Sequence, residues 1–322
     1  IVIVGPRGAG KSRCVEAVVA NETGVLRVDL GERFETRKMV YRAIIEELGD
    51  RLADEFPDSG VDVLSDLFRR VSLCHRRMDP SKPDWVPTLI AEVRTGIDDS
   101  VVYEVATAMK ALNTDRRWCR VILLLSDANA AFALPTDNRR QHLVWVDDFT
   151  ESEAMQFFDN VGVLPLNKRL DANGTDLNVL LRRRLFDVMG TRPTTLEFVA
   201  TALLGVSETM LNSKVDALIE SEVAQAKDVL QQLFTQTETP TGDDFRRLVD
   251  ALLRAPDRSI SPAQLTGGLA LPNVATKVLK PYHALLYHYP SDTYRFDSPA
   301  YWYGAKQMFA TTEAAKTKIN QV

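Results

Sequence analysis

Cysteine is scarce in this 322-residue chain. Cys14, Cys74 and Cys119 are odd in number and share no ligand spacing, which excludes a disulfide framework and a zinc site. A reducing interior compartment is the expected setting. His75, His142, His283 and His288 have no spacing suited to a metal or a nucleophilic triad, and no Gly-x-Ser-x-Gly elbow occurs. No apolar run approaches the length that crosses a bilayer, and no signal or transit segment is visible. Basic excess is missing too: the net charge of −5 lacks the footprint of a dedicated nucleic-acid binder. Arg182-Arg183-Arg184 reads first as a solvated helix face, and only second as a binding patch. There is no internal repeat and no low-complexity segment.

The beginning of the chain carries the chemistry. Ile1-Val2-Ile3-Val4 runs into Gly5-Pro6-Arg7-Gly8-Ala9-Gly10-Lys11-Ser12, which satisfies every position of G-x-x-x-x-G-K-[ST]. Glycines let successive backbone N–H groups turn inward around phosphate oxygens. Lys11 supplies a charge for β and γ phosphates and Ser12 a hydroxyl for Mg²⁺. Arg13 opens a helix, to Ala20, whose N-terminal dipole faces the phosphates. A buried strand before the loop and a helical pattern after it are the setting this motif requires. The expected ligands are ATP or ADP with Mg²⁺. Because the sequence opens inside the first core strand, the chain is expected to be a piece of a longer protein, and a mitochondrial or nuclear location stays open.

Downstream the pattern alternates. Strands are expected at Gly24–Leu30, Thr88–Val93, Cys119–Leu125 and His142–Val146. Helices are expected at Thr36–Leu52, Val61–Cys74 and Asp98–Leu112. Thr150 and Glu153 form a capping box before another helix. With the opening strand this makes five β-runs, two of them continuously apolar, hence a mainly parallel sheet covered on both faces. Ligands in such sheets sit at the carboxyl ends of the strands, where Gly8, Glu92 and Asp127 fall. After about Thr175 helical patterns dominate: Leu180–Met189, Thr195–Leu204, Ser207–Phe234 and Asp243–Leu253. Two short helices, Ser261–Thr266 and Asn273–Leu279, then precede a hairpin of His283–Tyr289 and Tyr294–Phe296, which suggests a winged helix. The fold class expected is therefore α/β, a P-loop NTPase core with a five-stranded parallel sheet (1–165), a helical lid (166–240) and a winged-helix-like C-terminal domain (241–322).

Around the loop, Glu92 is the available acid, with Ala91 where an Asp-Glu pair would carry its aspartate. Two registers stay open: Glu92 as catalytic base with the metal ligand missing, or Glu92 as the metal-side carboxylate. Either leaves the site poor in acid, and slow turnover is expected. Ser126, Asp127 and Asn129 end a strand expected between those of the loop and Glu92, within reach of a γ-phosphate. Arg139-Arg140 can send a guanidinium to that phosphate in the same subunit or a neighbouring one. In the turn Gly190-Thr191-Arg192-Pro193, Pro193 can lie against adenine and Arg192 can face phosphates, though a plain helix-breaking turn fits equally. The aromatics Tyr282, Tyr287, Tyr289, Tyr294, Phe296, Tyr301, Trp302 and Tyr303 suit a small core better than base stacking.

These residues resemble the AAA+/STAND group of P-loop ATPases, particularly the archaeal-type ATPases. Gly5 to Ser12 is the specific part; the Glu92 strand, the Ser126-Asp127 strand end and Gly190 to Pro193 match more loosely. Within the group, Gly5-Pro6-Arg7-Gly8, Ser100-Val101-Val102-Tyr103 and Gly190 to Phe198 are similar to the mitochondrial escape family. Pro87 to Glu92 and His142 to Thr150 are similar to the retrotransposon hot spot and Crinkler-like ATPases. The resemblance implies an ATP-dependent switch, in which nucleotide state sets the angle between core and lid, and assembly with other protein subunits or as a homo-oligomer. A non-hydrolysing nucleotide-stabilised scaffold is the main rival reading, and a nucleic-acid factor acting through the winged helix is the third.

Overall fold

The structure, a computed structural model, describes residues 1–30, 36–49, 60–94, 99–115, 117–126, 128–134, 142–162, 177–235, 240–264 and 284–319. The chain forms two compact units, Ile1–Val146 and Asp147–Val322.

The first unit is α/β. Its elements are β1 (Val2–Val4), α1 (Lys11–Val19), β2 (Val25–Leu30), α2 (Arg37–Leu48), α3 (Val61–Met78), β3 (Thr88–Val93), α4 (Asp99–Lys110), β4 (Arg120–Leu125) and β5 (Leu143–Trp145). The five strands form one sheet in the order β2-β3-β4-β1-β5, with every pairing parallel. The expected parallel sheet is thus present, and β4 lies between β1 and β3 as anticipated. Leu89, Ile90, Ala91 and Val93 of β3 and Leu123, Leu124 and Leu125 of β4 are all buried. Side chains alternate across a strand, so burial of successive residues means that both faces are covered. On one face Val15 of α1 packs against Ile90 and Leu124, with Ile3, Val19, Val25 and Ile122 around them. Each fully buried aliphatic side chain of such a layer contributes about 1.5–3 kcal/mol. That contact lays the start of α1 across the carboxyl end of β3.

The second unit is mainly helical. It holds α5 (Glu151–Val161), α6 (Leu177–Met189), α7 (Pro193–Leu203), α8 (Leu211–Thr235), α9 (Pro240–Arg254) and α10 (Pro299–Ile319), with a three-stranded antiparallel sheet of β6 (Ser259–Ile260), β8 (Thr293–Phe296) and β7 (Leu285–His288). The capping box at α5 is complete, Thr150 accepting from the Glu153 backbone and Glu153 accepting from that of Thr150. Phe158, Leu185, Leu196, Val199 and Val215 share one core. The β7–β8 hairpin pairs Leu285 with Phe296 and His288 with Thr293. Tyr294 and Phe296 are buried, and Tyr287 packs its ring against Tyr289 and Tyr294; these rings build a core, as their placement in the sequence suggested.

Three expectations change. Helix α3 runs on to Met78, four residues beyond Cys74, because the sequence there has no breaker before Pro80. Residues 262–264, expected as part of a short helix, form a single 3₁₀ turn. Helix α10 was not anticipated, since its aromatic start, Tyr301-Trp302-Tyr303, shows no apolar stripe. The expected helix at 273–279 lies outside the described residues.

Candidate nucleotide-binding site

The loop from Gly5 to Gly10 is shaped by what its glycines permit. Gly5 has φ +157°, and a Cβ placed there would lie 1.9 Å from the Val146 carbonyl oxygen. That close approach follows from sheet pairing, since the Val146 amide donates to the Val4 carbonyl and brings the end of β5 against the loop. Gly10, with φ 85°, takes the left-handed conformation as the residue that opens α1, a position glycine occupies at no steric cost. Pro6 and Ala9 are buried, Gly8 is half-buried, and Arg7 and Arg13 are exposed.

Lys11 is buried, at 6% exposure. Its ammonium donates to the carbonyls of Gly5 at 2.9 Å, Pro6 at 2.7 Å and Ser126 at 3.2 Å. A buried charge requires such partners, and these three lie on the loop and at the end of β4. Ser126 is otherwise spent on β3: its hydroxyl and its amide both donate to the Val93 carbonyl. Asn129 is buried. Asp127, Arg139 and Arg140 lie outside the described residues.

Ser12 donates its hydroxyl to Glu92 Oε1 at 2.7 Å. The other carboxylate oxygen, Oε2, accepts from Arg27 Nη2 at 2.5 Å. Arg27 also pairs with Glu16 of α1, and Asp29 with Arg94. Parallel pairing of β2 and β3 sets Arg27 opposite Ile90 and Asp29 opposite Glu92, so charged side chains line up at the carboxyl end of the sheet. Burial pushes the Glu92 carboxyl up, but donation from Arg27 and Ser12 outweighs it and holds the group below the ordinary carboxylate range. Ala91 and Val93, its neighbours in β3, are buried. A hydroxyl and an ionised carboxylate side by side form the oxygen donor set that Mg²⁺ accepts together with phosphate oxygens and water. The residues present therefore fit that ion. Among the described residues no group of three His, Cys, Asp or Glu side chains could enclose a metal alone.

Arg192 sits in the second unit, at the entry to α7, with Pro193 as the first helical residue. Its guanidinium bonds Asp148 Oδ1 at 2.9 Å, Asp297 Oδ2 at 2.7 Å and the Asp297 carbonyl at 2.6 Å. Burial would lower its basicity, and the two aspartates more than restore it. Thr191 is tied to the Phe149 carbonyl. The guanidinium expected to face phosphates is thus engaged by two carboxylates of its own unit.

Sequence reasoning missed Arg27, Asp148 and Asp297. Arg27 lies in a strand that was foreseen, but its pairing with Glu92 depends on the register of β2 on β3. The partners of Arg192 are far from it in sequence and carried no signal.

No family model and no curated protein matches the sequence. The likeness found is to solved structures, in their coordinates. A Walker-type ATPase of Pyrococcus abyssi superposes with a TM-score of 0.54 at 12% identity, over 95% of this chain and 90% of that one. The ORC1 protein of Aeropyrum pernix in complex with DNA gives 0.39 at 12% identity, over 97% and 87%. The Drosophila ORC bound to DNA gives 0.40 at 16% identity, over 89% and 82%. The likeness to the Pyrococcus ATPase is one of fold: a five-stranded parallel sheet in the order 2-3-4-1-5, a helical region and a small antiparallel sheet. Among the described residues no helix is long and apolar enough to cross a membrane.

Proposed function

We propose that this chain binds a nucleoside triphosphate, ATP foremost, at Gly5 to Arg13, and acts as an AAA+-type nucleotide-dependent switch that turns over slowly. The observation that carries the reading is the convergence of Lys11, Ser12 and Glu92 at the carboxyl end of a parallel sheet, with Ser12 and Glu92 in hydrogen-bond contact at 2.7 Å. Phosphates placed at the start of α1 meet backbone N–H groups and the positive end of the helix dipole. The Lys11 ammonium exchanges backbone carbonyls for phosphate oxygens. Ser12 and Glu92 would hold Mg²⁺, which when bound neutralises charge on the β and γ phosphates.

Contact with Ser12 favours the metal-side role for Glu92 over that of base. In that register the next position along the strand, where a second carboxylate would polarise the attacking water, is the buried Val93. Binding is then well served and hydrolysis of the β–γ bond poorly served. The same observation favours the rival in which bound nucleotide stabilises a scaffold by linkage.

The test is turnover of Mg-ATP by the purified chain beside Glu92→Gln and Lys11→Ala. Slow hydrolysis in the parent, reduced further in both variants, supports the reading. Fast parental turnover, or full activity in Glu92→Gln, contradicts it.

A further inference from the structure

We propose that Arg27 sets how strongly nucleotide binding depends on a divalent cation, by holding a permanent positive charge on the carboxylate that faces Ser12. The inference rests on the reading of Gly5 to Ser12 as the nucleotide site. The two oxygens of Glu92 are divided between the partners: Oε1 takes the Ser12 hydroxyl at 2.7 Å and Oε2 takes Arg27 Nη2 at 2.5 Å. A cation arriving beside Ser12 meets a carboxylate whose charge is already partly compensated.

Three features make Arg27 a competitor rather than a bystander. Its guanidinium stays charged at any working pH, so the compensation is never relieved by titration. It is anchored twice, on Glu92 and on Glu16 of α1, so it is held on Glu92 from the same helix that supplies Ser12. Its side chain is 41% exposed, which leaves it room to swing off Glu92 without disturbing the core. Glu92, Glu16 and Arg27 together carry one net negative charge, whereas the two carboxylates without Arg27 carry two. Arg27 therefore weakens the pull of the protein on the metal, leaves more of that pull to the phosphates it accompanies, and lessens the loss of nucleotide when the divalent cation is withdrawn.

The experiment measures affinity for a fluorescent, non-hydrolysable ATP analogue, with Mg²⁺ and with EDTA, for the parent, Arg27→Gln, Arg27→Lys and Lys11→Ala. In the parent, Mg²⁺ strengthens binding only modestly. In Arg27→Gln that enhancement grows on the order of tenfold, the scale on which one charge acts on a nearby divalent cation at a half-exposed site. Arg27→Lys keeps the charge and stays close to the parent. An enhancement that is unchanged or smaller in Arg27→Gln, with circular dichroism matching the parent, overturns the inference and makes Arg27 a support of Glu92. Equal enhancement in the Gln and Lys variants also overturns it, since charge would then not be the cause. If Lys11→Ala binds the analogue as tightly as the parent, the nucleotide reading itself fails, and the role of Arg27 with it.

Discussion

Ser12 and Glu92 are 80 positions apart in sequence, and their side chains meet in a 2.7 Å hydrogen bond. The contact exists because β3 lies one strand away from β1, with β4 between them, and because Val15 packs α1 against Ile90. Sheet order and one helix face bring a hydroxyl and a carboxylate to the place where the loop opens. The loop's own geometry, the buried Lys11 and the Arg27 charge all act at this point.

Gly5 is the position where the loop has least freedom. Gly5→Ala places a methyl 1.9 Å from the Val146 carbonyl, and relief requires the loop to part from β5. Unfolding by denaturant should show a loss of about 3 kcal/mol, the upper part of the usual range for a single substitution. Stability equal to the parent would mean that the β5 end can move aside.

Arg192 is expected to be structural. Arg192→Met removes the buried cation from between Asp148 and Asp297 and leaves two half-buried carboxylates without it. Breaking a buried pair in this way costs on the order of 3 kcal/mol. A thermal melt that is unchanged would show that the aspartates find other partners, and would free Arg192 for a role at phosphate.

The strand, loop and helix at the amino terminus are legible because all of their determinants are local: four β-formers, glycines at fixed spacing, then a helical run. The capping box at Thr150 and the strands at Glu92 and Leu125 are legible for the same reason. Arg27 is harder to see, because its partnership with Glu92 is fixed by the register of β2 on β3, and register between strands so far apart in sequence is not written in either strand. Arg192 shows the same limit more sharply. Its partners lie 44 and 105 positions away, and a turn built of Gly190-Thr191-Arg192-Pro193 looks the same whether its arginine faces a phosphate or two aspartates. Helix α10 escaped because aromatic residues on successive positions suppress the period by which helices are recognised.

His288 gives the second unit a pH-sensitive contact. Burial lowers its basicity, Arg295 lowers it further, and Asp147, bonded to Nε2 at 3.1 Å, works in the opposite direction. The folded ring therefore takes up a proton at lower pH than the unfolded chain, which does so near the ordinary histidine value of about 6.5. A group whose folded value is depressed adds stability above the unfolded value and loses it as pH falls toward the folded one. Stability should thus begin to decline below about pH 6.5, before the carboxylates titrate, and His288→Gln should remove that early part of the slope. Denaturant midpoints across pH 5 to 8, compared between parent and variant, measure it; identical slopes would take His288 out of the account.

The central claim is that Gly5 to Ser12 holds a triphosphate, and Lys11 tests it most directly. Equilibrium binding of a fluorescent ATP analogue should be clear in the parent and weakened at least tenfold in Lys11→Ala, since the ammonium is a principal charge meeting the β and γ phosphates. Undiminished binding by Lys11→Ala, or none by the parent, would contradict it.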